Sequence, residues 1–301
     1  MKKLLNYLGM LFGILLVIGV CLVFMANIIS ERKMQRVVQL KVAPVDFTDD
    51  PAAIAHGKYL FDTRGCMSCH GANGAGKVVI DDPSGLLVRS PNISPGTGGV
   101  VANYREGDWV RAIRHGVAPG GRPLLIMPSE DYAALTDADL KAVVAYVRHL
   151  EPVAGRPAEI RMPLMVKALY SVGAIQDAAE KIDHNRAPSV PVAEAVSREH
   201  GAYVANACIG CHGPGLSGGR IPGGPPDWPP AANLTPGEGT VMGRYDTPEK
   251  FKTMIRTGKR PDGTAVSSVM PFEGLQGMTD TDLDALHMYL ASLAPRAAGG
   301  R

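Results

Sequence analysis

The pentapeptide CMSCH at Cys66–His70 recurs as CIGCH at Cys208–His212. CxxCH is the attachment signature of c-type haem: two thiols add across the porphyrin vinyl groups, and the adjoining histidine lies beneath the iron as its proximal ligand. The pair therefore predicts two haem c groups, one on Cys66, Cys69 and His70 and one on Cys208, Cys211 and His212. A structural zinc site would place its CxxC pairs about 15 to 20 residues apart, whereas Cys69 and Cys208 are 139 positions apart. A thioredoxin-like redox pair would need a βαβ pattern beside one CxxC, and the sequence has none.

Working outward, the chain repeats itself. HGKYLFDTRGCMSCHG from His56 aligns with HGAYVANACIGCHG from His200 across a two-residue gap, and PNISPG from Pro91 with ANLTPG from Ala232. WVRAIRHG from Trp109 aligns with FKTMIRTG from Phe251, and IMP at Ile126–Pro128 with VMP at Val269–Pro271. LTDADLKAVVAYVRHLEPV from Leu135 matches MTDTDLDALHMYLASLAPR from Met278, and beyond the gap the offset stays at 141 to 143. Met127 follows His70 by 57 residues and Met270 follows His212 by 58. A lone methionine is usually core filler, but these two occupy one loop position in both halves, each before a stiffening proline. They are the expected axial thioether ligands of the two irons.

Of 301 residues, 46% are apolar and the net charge is +2; disorder is excluded, and no basic block argues for nucleic acid. Leu8 to Ala26 is 19 residues without a charge, long enough to span a bilayer. A cleaved signal peptide has an apolar region of about 7 to 15 residues and a small-x-small site, so an uncleaved single-pass anchor is expected. Cys21 inside it reads as a small apolar side chain in lipid. The expected division is residues 1–30 anchor, 31–50 mixed-charge tether holding the domains off the membrane, 51–152 domain 1, 153–193 linker with a helix, 194–295 domain 2, and 296–301 tail.

Within the domains, opening helices are predicted from Pro51 to Thr63 and from Ala195 to Ala207. Thr136 and Thr279 each start a T-x-x-D cap, with Asp139 and Asp282, before closing helices striped by Leu140, Val143, Val144, Val147 and by Leu283, Leu286, Leu290. No alternating strand pattern is present, so the fold class is all-α: two tandem helical domains, each wrapped on a haem, after a transmembrane helix. Tyr59, Tyr203, Tyr146 and Tyr289 are expected to pack where opening and closing helices cross. In the linker, Met165, Leu169, Val172, Ile175, Ala179 and Ile182 form a helical stripe between Pro163 and Pro188, read as a helix packed on one domain to fix their spacing. His56 and His200 are read as solvent-facing or capping, and His115, His149, His184 and His287 as surface. Arg114 and Arg256 match across the halves and pair with a haem propionate or stay solvated loop charges. Trp109 and Trp228 read as haem-edge packing; the sequons at Asn92 and Asn233 read as incidental.

Each half resembles a class I cytochrome c domain, over about Pro51 to Pro152 and Glu194 to Pro295, and together they resemble the membrane-anchored dihaem cytochromes c of bacterial respiratory chains. The resemblance extends to cytochrome subunits of periplasmic alcohol, sugar and aldehyde dehydrogenases, in phrases such as SPNISPG, WVRAIRHGVAPGGRPL and MPSEDYAALTDADLKAVVAYVRHLEPV. It implies haem domains on the periplasmic side of the inner membrane, and an electron-transfer protein rather than an enzyme. The implied partners are a dehydrogenase as donor and an oxidase or soluble cytochrome as acceptor. Two alternatives keep the cofactors but change the role: a dihaem peroxidase or thiosulfate dehydrogenase, needing an exchangeable sixth ligand, and the dihaem subunit of a terminal oxidase.

Overall fold

The helix α1, Lys2–Met34, carries the uncharged run and is apolar on every side, with a mean hydropathy of 2.8 over its best window. At about 1.5 Å per residue its 33 residues extend roughly 50 Å, long enough to cross a membrane. The computed structural model describes residues 2–222, 224–225 and 227–300. Met1 and Arg301, the outer bounds of the predicted anchor and tail, lie outside the described residues, as do Gly223 and Pro226.

Domain 1 contains α2 (Pro51–Thr63), α3 (Cys66–His70), α4 (Glu106–His115), α5 (Ser129–Tyr132) and α6 (Asp137–Arg148). A linker helix α7 (Leu164–Ser171) follows. Domain 2 repeats the order with α8 (Arg198–Val204), α9 (Ile209–His212), α10 (Pro248–Thr257), α11 (Phe272–Leu275) and α12 (Asp280–Ala291). The local sequence explains the boundaries. Asp50 accepts the Ala52 N–H, and Pro51, with its fixed φ, starts α2. Ser197 accepts the His200 N–H, so α8 opens at Arg198, three residues later than expected, and its end tightens into a 3₁₀ turn at Ala205–Cys208.

Opening and closing helices cross at a glycine in each half. A Cβ on Gly57 would lie 1.9 Å from the Ala142 carbonyl oxygen, and one on Gly201 would lie 2.0 Å from that of Ala285. Backbone contact there is possible only for glycine. Around the crossings, Leu60, Phe61, Leu140, Val143, Val144 and Val147 form one core, and Val204, Leu283, Leu286 and Leu290 anchor the other. Tyr146 meets Phe61 edge to face at the first crossing, and Gly201 lies against Tyr289 at the second, as expected of these aromatics.

A small antiparallel sheet, absent from the sequence reading, joins β1 (Val78–Asp81), β2 (Leu87–Arg89) and β3 (Glu159–Arg161) in that order, with Val88 opposite Ile160. Strands of three or four residues are too short for alternation to register. The all-α class stands, with this minor addition.

Two readings of the connecting segments are corrected. The tether is not a free spacer: Val45 is buried in the domain 1 core with Val42 and Phe47 packed beside it, and the Val38 N–H bonds to the Gly121 carbonyl. The linker stripe divides: Ala179 is buried in a turn that rests on domain 1 through the Ala178 N–H to the Leu124 carbonyl, but the earlier part of the stripe is not core. Gly173, at φ 78°, stops α7 after two turns, and Met165, Leu169 and Val172 are exposed. This helix packs on the end of α1, with Lys167 bonded to Asn27 and Glu31.

Candidate functional site

Both CxxCH segments end in a short helix, the first entered from a glycine turn and the second continuing from the 3₁₀ turn at Ala205–Cys208. Gly65, at φ 90°, precedes α3 and holds a left-handed conformation open to glycine at little cost. On these helices the two histidines are aimed alike. His70 Nδ1 donates to the Pro91 carbonyl at 3.1 Å, and His212 Nδ1 donates to the Ala232 carbonyl at 2.8 Å. A carbonyl only accepts, so Nδ1 carries the proton and Nε2 is the unprotonated nitrogen; a backbone partner of this kind fixes the tautomer and orientation of a metal-bound imidazole. Burial holds His70 below its ordinary pKa, against the bond from Pro91 that raises it.

The acceptor loops are equally matched. Asn92 and Asn233 are buried, and their side chains tie the loops to the segments after the closing helices through Val153 and Arg296. Asn92, fully enclosed, has no room for a glycan, so its sequon is incidental as expected.

In domain 2, Cys208, His212 and Met270 line one apolar cleft with Leu234, Met254 and Leu286. Met127 and Met270 stand in loops of one shape. Each carbonyl accepts an N–H two residues on at 2.8 Å, and the prolines that follow sit at φ −79°, ψ 61° and φ −81°, ψ 62°. Burial pushes the Cys66 and Cys208 thiols up to about 12, leaving them neutral and poor ligands for a bare metal ion. Trp109 is buried edge-on against Tyr104, with its Nε1 unpartnered among the described residues. An apolar slot, two thiols and an oriented imidazole fit a haem.

The domains meet through these same elements, in a nearly twofold pattern. Tyr59 Oη donates to Asp282 at 2.6 Å and accepts the Thr279 N–H at 3.1 Å. Reciprocally, Tyr203 Oη donates to Asp139 and accepts the Thr136 N–H at 3.1 Å. The T-x-x-D caps are thus half as expected. Thr136 and Thr279 accept from the backbone of Asp139 and Asp282, but the carboxylates turn away, and the other domain's tyrosine serves the cap N–H. Tyr59 and Tyr203 therefore bridge the domains through their hydroxyls, while the Tyr59 ring also packs on the domain 1 core as expected.

Among the histidines, His56 and His149 are exposed as expected, while the surface readings of His200 and His287 are corrected. His56 bonds Asp139 at 2.7 Å, and His200, buried, bonds Asp282 at 2.6 Å. His287 is buried with Nε2 on the Tyr245 carbonyl, and His115 meets His184 at 3.2 Å, half-buried. Each arginine ties its helix to the start of a closing helix, buried Arg114 through Asp137 and Leu135, and Arg256, which stays exposed as a solvated charge would, through Asp280 and Gln276.

The two-residue gap breaks the symmetry. Arg64, which domain 2 has no counterpart for, crosses to line the domain 2 cleft, pairs with Asp282, and leaves Nη1 buried and unpartnered among the described residues. Asp131, four residues after Met127, accepts the Gly210 N–H within CIGCH; its repeat counterpart is Gly274. Burial first, then the neighbouring Glu130, raises Asp131 to about 8, against the Gly210 N–H and Lys181.

The family model for cytochrome c matches residues 54–151 and 199–294. The chain is 28% identical over 292 residues to the gluconate 2-dehydrogenase cytochrome c subunit of Pantoea cypripedii, covering 85% of this chain and 63% of that one. It is 27% identical to the fructose dehydrogenase cytochrome subunit of Gluconobacter japonicus, over 83% of this chain and 54% of the relative. With the alcohol dehydrogenase (quinone) cytochrome c subunit of Gluconobacter oxydans it shares 28% identity, over 81% and 55% respectively. The chain thus spans little more than half to just under two thirds of these relatives' length. Since the matched residues make up more than half of the sequence and contain both CxxCH segments, the chain belongs to the cytochrome c family, as two tandem domains of the kind that carries covalently bound haem c.

Proposed function

We propose that the protein is a membrane-anchored, dihaem electron-transfer subunit, passing electrons from a periplasmic or membrane dehydrogenase into the respiratory chain. The observation that carries this reading is the joining of two matched CxxCH segments through their own attachment helices and methionine loops. α11 lies on α2 and α3, while α5 lies on α9, so the attachment edges face each other across the domain boundary.

Haem c supplies one-electron chemistry at iron. The chain's residues would hold it: Cys66, Cys69, Cys208 and Cys211 as thioethers, His70 and His212 as imidazole ligands, and Met127 and Met270 as thioether ligands. Such a donor set would favour the reduced state and would leave no open site for a substrate. The like conformation of the two Met-Pro loops favours this over a dihaem peroxidase or thiosulfate dehydrogenase. The donor is inferred from the relatives named as cytochrome subunits of gluconate, fructose and alcohol dehydrogenases. The acceptor is proposed to be an oxidase or a soluble cytochrome.

Placement follows from α1, proposed to remain as the anchor with both haem domains on the periplasmic face. The test is to isolate the protein in detergent and measure haem content, spin state and the weak far-red sulfur-to-iron absorption. Two low-spin haems with that band support the reading. One haem, or a high-spin iron at neutral pH, overturns it. Co-purification of a dehydrogenase, and reduction of both haems by its substrate, tests the partner.

A further inference from the structure

The linker is fastened to the end of α1 by a ladder of polar contacts. Lys167 Nζ reaches Asn27 Oδ1 and Glu31 Oε1, each at 2.8 Å; Lys33 Nζ donates to the Tyr170 carbonyl at 3.0 Å. Farther up, Arg36 Nη2 meets buried Asp177 at 2.8 Å, and Lys33 pairs with Glu180 at 3.0 Å. The partners advance together along both segments, so α7 rises beside α1 with its Leu164 end lowest.

The face of α7 turned away from these contacts is apolar. Leu164 is 46% exposed, Met165 69%, Leu169 40% and Val172 77%. At about 100° per residue, these four with Ala168 fall within an arc of roughly 140°, which holds no charged side chain. The opposite side carries Lys167 and buried Tyr170. Such an arc on a soluble surface would be a liability.

Height supplies the occupant. The uncharged run of α1 ends at Ala26, and Lys167 stands against Asn27 and Glu31, which at about 1.5 Å per residue lie roughly 6 Å apart along the axis. The headgroup layer adds about 5 to 7 Å on each side of the hydrocarbon core. The Leu164 end of the arc therefore stands at headgroup depth beside α1, where Met25 and Ile29 are also exposed.

We propose that α7 is a second membrane contact: its Leu164, Met165, Leu169 and Val172 face enters the lipid interface beside α1, holding the haem domains at fixed height and tilt on the bilayer. This rests on the reading of α1 as a retained anchor. The lipid contact is apolar burial of the kind made by interfacial helices, here reinforced by a spanning neighbour.

The test uses the full-length dihaem protein in phosphatidylcholine vesicles, in a Cys21→Ser background that leaves only haem-linked cysteines. Spin labels go at Leu164→Cys, Met165→Cys, Val190→Cys and Leu15→Cys, each variant checked for two haems. Collision with oxygen, which concentrates in lipid, is compared with collision with a water-borne nickel chelate. Positions 164 and 165 are expected to favour oxygen as position 15 does, while 190, exposed elsewhere in the linker, favours the chelate. If 15 favours oxygen but 164 and 165 behave like 190, the interfacial helix is wrong and the anchor stands. Shielding of 164 and 165 from both reagents would mean a protein contact and would also overturn it. If 15 itself favours the chelate, the anchor reading falls and this proposal with it.

Discussion

Arg64 of the first domain donates to Asp282 of the second at 2.6 Å, with the arginine side chain 10% and the aspartate 2% exposed. One half of the molecule thereby places a fixed cation in the lining of the other half's cleft. Burial opposes ionisation of Asp282, and Arg64, Tyr59 and His200 together overcome it, holding the carboxyl below its usual range.

A cation there favours ferrous over ferric iron. A unit charge about 10 Å away, at an effective dielectric near 20, is worth roughly 1.7 kcal/mol, or some tens of millivolts for one electron. Arg64→Gln is expected to lower the potential of the domain 2 haem by that order, and Asp282→Asn to raise it. Spectroelectrochemical titration reads both. Loosening of the interface alone would move the two variants in the same direction.

The ligand assignment makes a separate prediction. Imidazole favours ferric iron more than a thioether does, so Met127→His should lower the domain 1 wave and leave the other in place. Met270→His should do the reverse, which also identifies which wave belongs to which domain. A substitution that moves neither wave removes that methionine from the ligand set.

Asp131 predicts a pH dependence. Its folded pKa, about 8, lies above the ordinary carboxyl value of 3.8, so the folded state binds the proton more tightly than the unfolded chain does. Stability from this group is full below pH 4, falls as pH rises toward 8, and is level beyond. Thermal midpoints of Asp131→Asn should therefore overtake the parent progressively across that window. Parallel curves from pH 4 to 9 would refute the assignment.

The helix crossings give the most severe substitution. Gly57→Ala and Gly201→Ala drive a methyl into a carbonyl oxygen with no room to shift, an overpacking cost of about 1 to 3 kcal/mol. Each should lower the denaturation midpoint and reduce haem incorporation in its own domain, read by the pyridine haemochrome content.

The haem motifs, the repeat and the two closing helices were legible because they are local: CxxCH is five consecutive residues, and Leu140, Val143, Val144 and Val147 stripe one helix. What escaped was contact between halves. Nothing near Tyr59 in the chain marks Thr279 or Asp282 as its partners, 220 and 223 positions on, and a tyrosine at helical spacing reads equally as local packing. The buried histidines were missed for the same reason, because their burial comes from the facing helix. The linker stripe misled because its spacing runs past the end of the helix: Gly173 stops α7, so Met165 and Leu169 lie on it and face outward, whereas Ala179 is buried in a separate later turn.

The paired tyrosines have the form of an isologous interface, in which residue i touches j and j touches i, as between identical subunits of a dimer. Here both subunits are one polypeptide. In a homodimer every charge at such an interface must occur twice, and two equal cofactors must share one energy. End-to-end fusion lifts that restriction, and Arg64, present on one side alone, is a difference that two copies of a shorter chain have no means of expressing.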